Sequence, residues 1–261
     1  MIVALGWGRH LRIACAAFIL GPGTPASALV GGATVVRDAA AGRHIVMIVG
    51  SRGNVCTGTA LARDLVLTAA HCVAPTATYR VLTPDLQPPG LPLLGVSVHP
   101  RYDEGHYQSG RVTADVALLK LERPLPDGIA PVGLAPDRRM LPGERLVIAG
   151  YGGTLPGRDV GLGVPRQATL IVTGRPGNLQ IRLVDPATRD QRAGLGACTG
   201  DSGGPAFIAS AGTYSVIGVV SWSTGPAGGE GCGGLTGITP LSLYRTWILD
   251  TARRMGSAIG R

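Results

Sequence analysis

The run Gly200-Asp201-Ser202-Gly203-Gly204-Pro205 sets a serine among glycines. A serine hydroxyl is a weak nucleophile until a neighbouring base takes its proton. Glycine on either side lets the backbone turn tightly, so that N–H groups can converge on one point. Donors placed that way stabilise the negative charge that grows on an attacked carbonyl oxygen. A base is at hand in Leu67-Thr68-Ala69-Ala70-His71-Cys72, where an apolar stretch runs into a small-residue corner carrying a histidine. A carboxylate lies in Ala114-Asp115-Val116-Ala117-Leu118-Leu119-Lys120-Leu121. An aspartate entering so apolar a stretch is costly to bury without a hydrogen-bond partner, and a histidine in need of orientation is one such partner. Taken singly, the three pieces read as a glycine-rich turn, a structural histidine and a capping aspartate. Taken together, they are residue types that nucleophilic attack on a carbonyl would call on.

Those groups have to be held by short elements. The 261 residues include 41 Gly and 20 Pro, which argues for many turns rather than long helices. Apolar stretches of strand length recur between turn residues: His44 to Val49, Leu65 to Ala70, Val116 to Leu121, Leu146 to Ala149, Ala168 to Val172 and Tyr214 to Val220. Gln87-Pro88-Pro89-Gly90 and Thr173-Gly174-Arg175-Pro176-Gly177 read as punctuation between them. Many short strands with frequent turns indicate an all-β sandwich or barrel. Leu241 to Met255 is free of Gly and Pro, carries apolar residues at helical spacing, and ends in Arg253-Arg254 before Gly256. That is C-terminal helix chemistry. The Pro-rich region Leu121 to Pro142 is the natural crossing between two halves.

Residues 1–28 read as a signal peptide: Arg9, His10 and Arg12 are basic, Ile13 to Leu20 apolar, and Ala26-Ser27-Ala28 gives a small-x-small cleavage site. The apolar run is too short for a stable bilayer anchor. Its removal takes Cys15 and two of the positive charges, and leaves Cys56, Cys72, Cys198 and Cys232. Four cysteines in an exported chain favour two disulfides over metal binding, and spacing leaves the pairing open. The formal charge of +8 is carried by arginines scattered singly or in pairs, which argues against nucleic acid as a partner. His99 and His106 flank Asp103 and Glu104, but the segment reads as an exposed polar loop, and no metal or cofactor is expected.

With the three motifs in the order His, Asp, Ser, the chain resembles the chymotrypsin-like (trypsin superfamily) serine peptidases from Leu29-Val30-Gly31-Gly32 to the terminal helix. The resemblance implies two six-stranded antiparallel β-barrels with the active site between them and a C-terminal α-helix. The N-terminal barrel would span about 29–130 and the C-terminal barrel and helix about 131–261. It implies Ser202 as nucleophile, His71 as general base and acid, and Asp115 as the orienting carboxylate. The N–H groups of Gly200 and Ser202 would form the oxyanion hole, and Ser221-Trp222-Ser223 would line the substrate cleft. By the same resemblance Cys56 pairs with Cys72, and Cys198 with Cys232. In the family a new amino terminus pairs with the aspartate before the nucleophile, so Leu29, freed by signal cleavage, is expected to pair with Asp201.

The chain departs from the family's usual pattern at Cys56-Thr57-Gly58, at Trp222-Ser223, in the glycine-rich stretch Thr224 to Gly231, and at Leu29. The pocket positions Gly196, Ala197 and Thr236 carry no charge, so the residue before the cut bond is expected to be small to medium and uncharged rather than Arg or Lys. The expectation is thus a secreted, monomeric serine endopeptidase with protein or peptide substrates and protein inhibitors as partners. A protease fold turned binding module would have lost a triad member or Gly200. An esterase of the hydrolase fold would place its histidine last.

Overall fold

The computed structural model describes residues 29–36, 40–73, 76–155, 157–174 and 179–260. The expected signal peptide lies outside them. Strands β1 (Thr34–Val35), β2 (Ile45–Gly50), β3 (Val55–Ala62), β4 (Leu65–Thr68), β5 (Tyr79–Thr83), β6 (Leu86–Val98) and β7 (Ala117–Leu121) come first. They are followed by β8 (Arg145–Gly150), β9 (Arg166–Gly174), β10 (Ile181–Val184), β11 (Pro205–Ser210), β12 (Thr213–Ser223) and β13 (Thr236–Pro240). Among the described residues there are two α-helices, α1 (Glu104–Gln108) and α2 (Arg245–Arg254).

Two closed antiparallel barrels result. In the first the order around the wall is β2-β3-β4-β7-β6-β5. In the second, β9-β10-β13-β12-β11-β8 closes through the β8–β9 ladder, and β1 adds to β9 at Thr34↔Gln167. The fully buried Ile45, Leu65, Leu67, Leu118 and Leu119 fill the first barrel; Ile148, Leu170, Leu183 and Ile238 fill the second. These β-branched and leucine side chains suit a pleated, enclosed wall, which is how a chain with 4% aromatic residues builds its core.

Each half is strapped by a segment from the other end of the chain. Leu29 and Ala33 are buried in the second barrel's core although they precede the first barrel. Tyr244, Ile248 and Ala252, on and before α2, are buried against the first. Lys120 of β7 reinforces that return, bonding Asp64 at 2.5 Å and Ser257 at 2.8 Å. Between the barrels the crossing segment is laced to both: Val132 N–H donates to Ala60 and Ala135 N–H to Val216.

The turn expected at Gln87-Pro88-Pro89-Gly90 lies inside β6. The β5–β6 register jumps from Val81↔Leu91 to Thr83↔Leu86, so these residues bulge out of the ladder, where a missing proline N–H does no harm. The segment from His99 to His106 is no exposed loop throughout. His99 is buried edge-on to Tyr244 and Trp247, and Asp103 caps α1 by accepting the His106 N–H. The C-terminal helix is shorter than Leu241 to Met255, because Leu241–Tyr244 form a 3-10 turn before it.

Candidate active site

Strands β4 and β7 are antiparallel neighbours, with Thr68 opposite Ala117. Residues just past the end of β4 and just before the start of β7 therefore meet at one rim of the barrel. His71 stands in a 3-10 turn after β4, and Asp115 directly before β7. The Cys56–Cys72 disulfide ties the His71 turn back to β3.

Asp115, 1% exposed, is met by three donors. Its Oδ1 accepts the backbone N–H of His71 at 2.9 Å; its Oδ2 takes His71 Nδ1 at 2.8 Å and the hydroxyl of Ser221 at 2.6 Å. Those bonds make up the desolvation cost of the buried carboxylate. They also favour one tautomer, because a proton on Nδ1 leaves Nε2 with the lone pair that a general base would use.

The expected nucleophile comes from the second barrel. Ser202 sits in a turn ahead of β11 that is pinned from several sides. Gly203 N–H donates to Val220 and Gly204 N–H to Asp201, while the Ser202 carbonyl accepts Thr57 N–H from the first barrel at 2.8 Å. Gly200 and Gly203 have φ of +95° and +81°, where side chains are strained; a Cβ on Gly203 would also run into Thr68 and the Thr57 carbonyl. Among the described residues the N–H groups of Gly200 and Ser202 have no acceptor. Cys72 Sγ lies 3.8 Å from His71 Nε2 and 3.6 Å from the Ser202 carbonyl oxygen, so base and nucleophile turn meet at that disulfide. No hydrogen bond joins the Ser202 hydroxyl to His71 here; such bonds commonly tighten only with substrate present.

Asp201 is wholly buried. Its oxygens accept the N–H groups of Gly152 and Cys198, each at 2.9 Å. Burial pushes its carboxyl up to about 7, against the pull of those two N–H groups and of the Arg166 charge. Leu29 is buried in the same barrel, and the neighbouring Val30 bridges to Gly196. In the unprocessed chain the Leu29 nitrogen is an amide without charge.

The expected pocket residues cluster on one side of the nucleophile turn. Ala197 N–H donates to Thr236 Oγ1 at 3.0 Å, and Gly196 packs against Gly233. The Cys198–Cys232 disulfide joins the turn to the facing wall. Thr199, Ser223 and Cys232 border a cavity of about 520 Å³ whose rim carries Glu230. Cys56, His71 and Cys72 also bring three ligand-type atoms together, but both sulfurs are committed to their disulfide.

Two functional residues escaped sequence reasoning. Tyr107, on α1, stacks on His71 with centroids 4.3 Å apart and planes 10° from parallel, and its hydroxyl donates to the Ser221 carbonyl at 3.3 Å. Burial, with Asp115 and Glu104 nearby, raises its phenol's pKa, so it stays a neutral donor. A tyrosine in a polar loop carries no sequence signal of this. Thr57 was visible only as a departure from a glycine. Its hydroxyl donates to the Gly200 carbonyl at 2.8 Å and accepts Tyr151 N–H at 2.9 Å, joining the barrels behind the nucleophile turn. Thr57→Val keeps the shape but removes both bonds, and should cost about 1–3 kcal/mol of stability in urea unfolding. Thr57→Ser should restore most of it; equal stability of the Val variant would refute the assignment.

The profile of the trypsin family matches residues 30–248. Vitamin K-dependent protein C of Rattus norvegicus is 31% identical over 222 residues, covering 74% of this chain. The chain spans 45% of that protein's length.

Proposed function

Because this chain belongs to the trypsin family of serine peptidases, we propose that it is a secreted endopeptidase that cuts after small to medium uncharged residues. The observation carrying this reading is the convergence of the Asp115–His71 pair with the Ser202 turn and its two unpaired N–H donors. Ser202 Oγ attacks the carbonyl as its proton passes to His71 Nε2. The oxyanion is held by the N–H groups of Gly200 and Ser202. His71 then protonates the leaving amine, which breaks the peptide bond and leaves an acyl-enzyme. Water repeats the sequence, giving its proton to His71 and releasing the acid. Asp115 orients the imidazole and stabilises the imidazolium. Two disulfides support an oxidising compartment, in keeping with the leader-like residues 1–28.

Specificity follows from the inner pocket positions, since Glu230, the acid lining the pocket cavity, is exposed at its rim. Gly196, Ala197 and Thr236 offer no anion, and burying an unpaired guanidinium would cost several kcal/mol. Labelling by a fluorophosphonate tests the nucleophile; a peptide library read by mass spectrometry tests the pocket. Cleavage after Ala, Val, Leu or Met should exceed that after Arg or Lys by at least about tenfold, since 1.4 kcal/mol already gives that factor. Faster cutting after Arg or Lys would overturn the pocket assignment.

A further inference from the structure

A cavity of about 550 Å³ opens beside the cleft, and Tyr107, Arg111, Val112, Gln180, Arg182 and Trp222 line it. Trp222 is fixed there by its indole N–H, which donates to Gln180 Oε1 at 2.8 Å. Arg182 projects from β10 on an exposed position, and Arg111 follows α1 with its backbone N–H bonded to His106. Among the described residues neither guanidinium has an ion pair or hydrogen-bond acceptor. Glu104, the acid on the adjoining helix, is taken up by the Tyr102 hydroxyl and the Gln108 amide. Two cations thus face one half-apolar cavity with no anion between them.

The strand next to this cavity has an open edge. On one side β12 pairs with β13 as far as Ser223↔Thr236. On the other its ladder with β11 ends at Val219, and the Ser221 carbonyl accepts the Tyr107 hydroxyl. An extended peptide can add at such an edge. Adding antiparallel to β12, it passes Ser223 and Trp222 before reaching Ser221 and the triad, so the residues over Trp222 precede the bond to be cut. Tyr107, stacked on His71, walls the cavity off from the triad. A side chain entering it therefore stands roughly two to four residues before that bond, at about 3.3 Å per residue.

We propose that this cavity recognises a carboxylate side chain of the substrate on the amino-terminal side of the cleaved bond, with Arg111 and Arg182 as its specificity-determining residues. The proposal rests on the endopeptidase reading and deepens it. A carboxylate between the two guanidiniums relieves their repulsion and can accept from both, while Trp222 and Val112 cover its methylene stem.

Quenched peptides that differ only by Glu or Gln at each of the second to fourth positions before the cut bond provide the test. At one of these positions kcat/KM should favour Glu by roughly five- to tenfold at low salt, as befits two partly exposed ion pairs. The preference should shrink in 0.5 M NaCl, beyond the screening range of such pairs. In Arg182→Glu the preference should pass to Lys over Gln, and in Arg111→Ala/Arg182→Ala the Glu-to-Gln ratio should fall to about one. A wild-type ratio within twofold at all three positions would overturn the proposal, and that measurement needs no variant to fold. So would an unchanged ratio in variants that still react with a fluorophosphonate. Peptide cleavage without acidic preference counts against this inference alone; failure to cut any peptide or to label counts against the endopeptidase reading.

Discussion

Ser202→Ala is expected to abolish peptide hydrolysis while leaving the fold intact. The hydroxyl takes part in no hydrogen bond among the described residues, so its loss leaves no buried partner unsatisfied. The turn that carries it is held by backbone groups instead: Ser202 C=O to Thr57, Gly203 N–H to Val220, Gly204 N–H to Asp201. Thermal unfolding should therefore shift little, while turnover falls by on the order of 10⁴ to 10⁶. His71→Ala should lose as much, and Asp115→Asn somewhat less, since an amide there still accepts one bond but favours the wrong tautomer. Residual turnover above a tenth of wild type in Ser202→Ala would end the covalent mechanism.

The second large effect is expected at the amino terminus. A chain beginning at Leu29 should be fully active, and one retaining even a single residue before it nearly inert. Asp201 is the reason. In the unprocessed chain its buried carboxyl, pushed up to about 7, is about half protonated at neutrality. A carboxyl raised in the folded state contributes stability that is fully present below its ordinary value near 3.9. That contribution is lost as pH rises through about 7. A free Leu29 ammonium placed against Asp201 would reverse this. The carboxylate would stay charged, and the amino group's pKa would rise above its usual 7.7–8.0. The pair's contribution would then be present below that range and lost as pH climbs through the raised value. Unprocessed protein should thus lose stability between about pH 4 and 7, and protein starting at Leu29 only in the alkaline range. Asp201→Asn should flatten both profiles and impair the processed enzyme, although Asp201 does no chemistry. An active secreted form with a different first residue, read by intact mass, would refute the idea.

How far the sequence carried this far depended on the kind of signal. Ser202, His71 and Asp115 were legible because each stands in a run whose residue types have little other use together. The barrel strands β2, β4, β7 and β9 were legible from apolar runs of the right length. Strand β3 was not, since Cys56-Thr57-Gly58-Thr59 mixes small polar residues whose side chains are nonetheless buried. Strand β6 hid behind its prolines, because a bulge has no signature in residue type. The contacts of Tyr107 and Thr57 depend on elements 114 and 143 residues away, which local pattern does not encode.

The crossed straps at the two ends set when this molecule can first work. The first barrel's core takes in Ile248 and Ala252 of α2, far downstream of its strands, and the second barrel's core takes in Leu29 and Ala33, far upstream of its own. A growing chain that has already delivered His71 and Asp115 still lacks Ser202, Ser221 and the helix that covers the first half. The triad therefore assembles only after both straps are in place, and activity waits further for the free amino group at Leu29. A partly made copy of this protease thus holds its base and carboxylate without a nucleophile to activate.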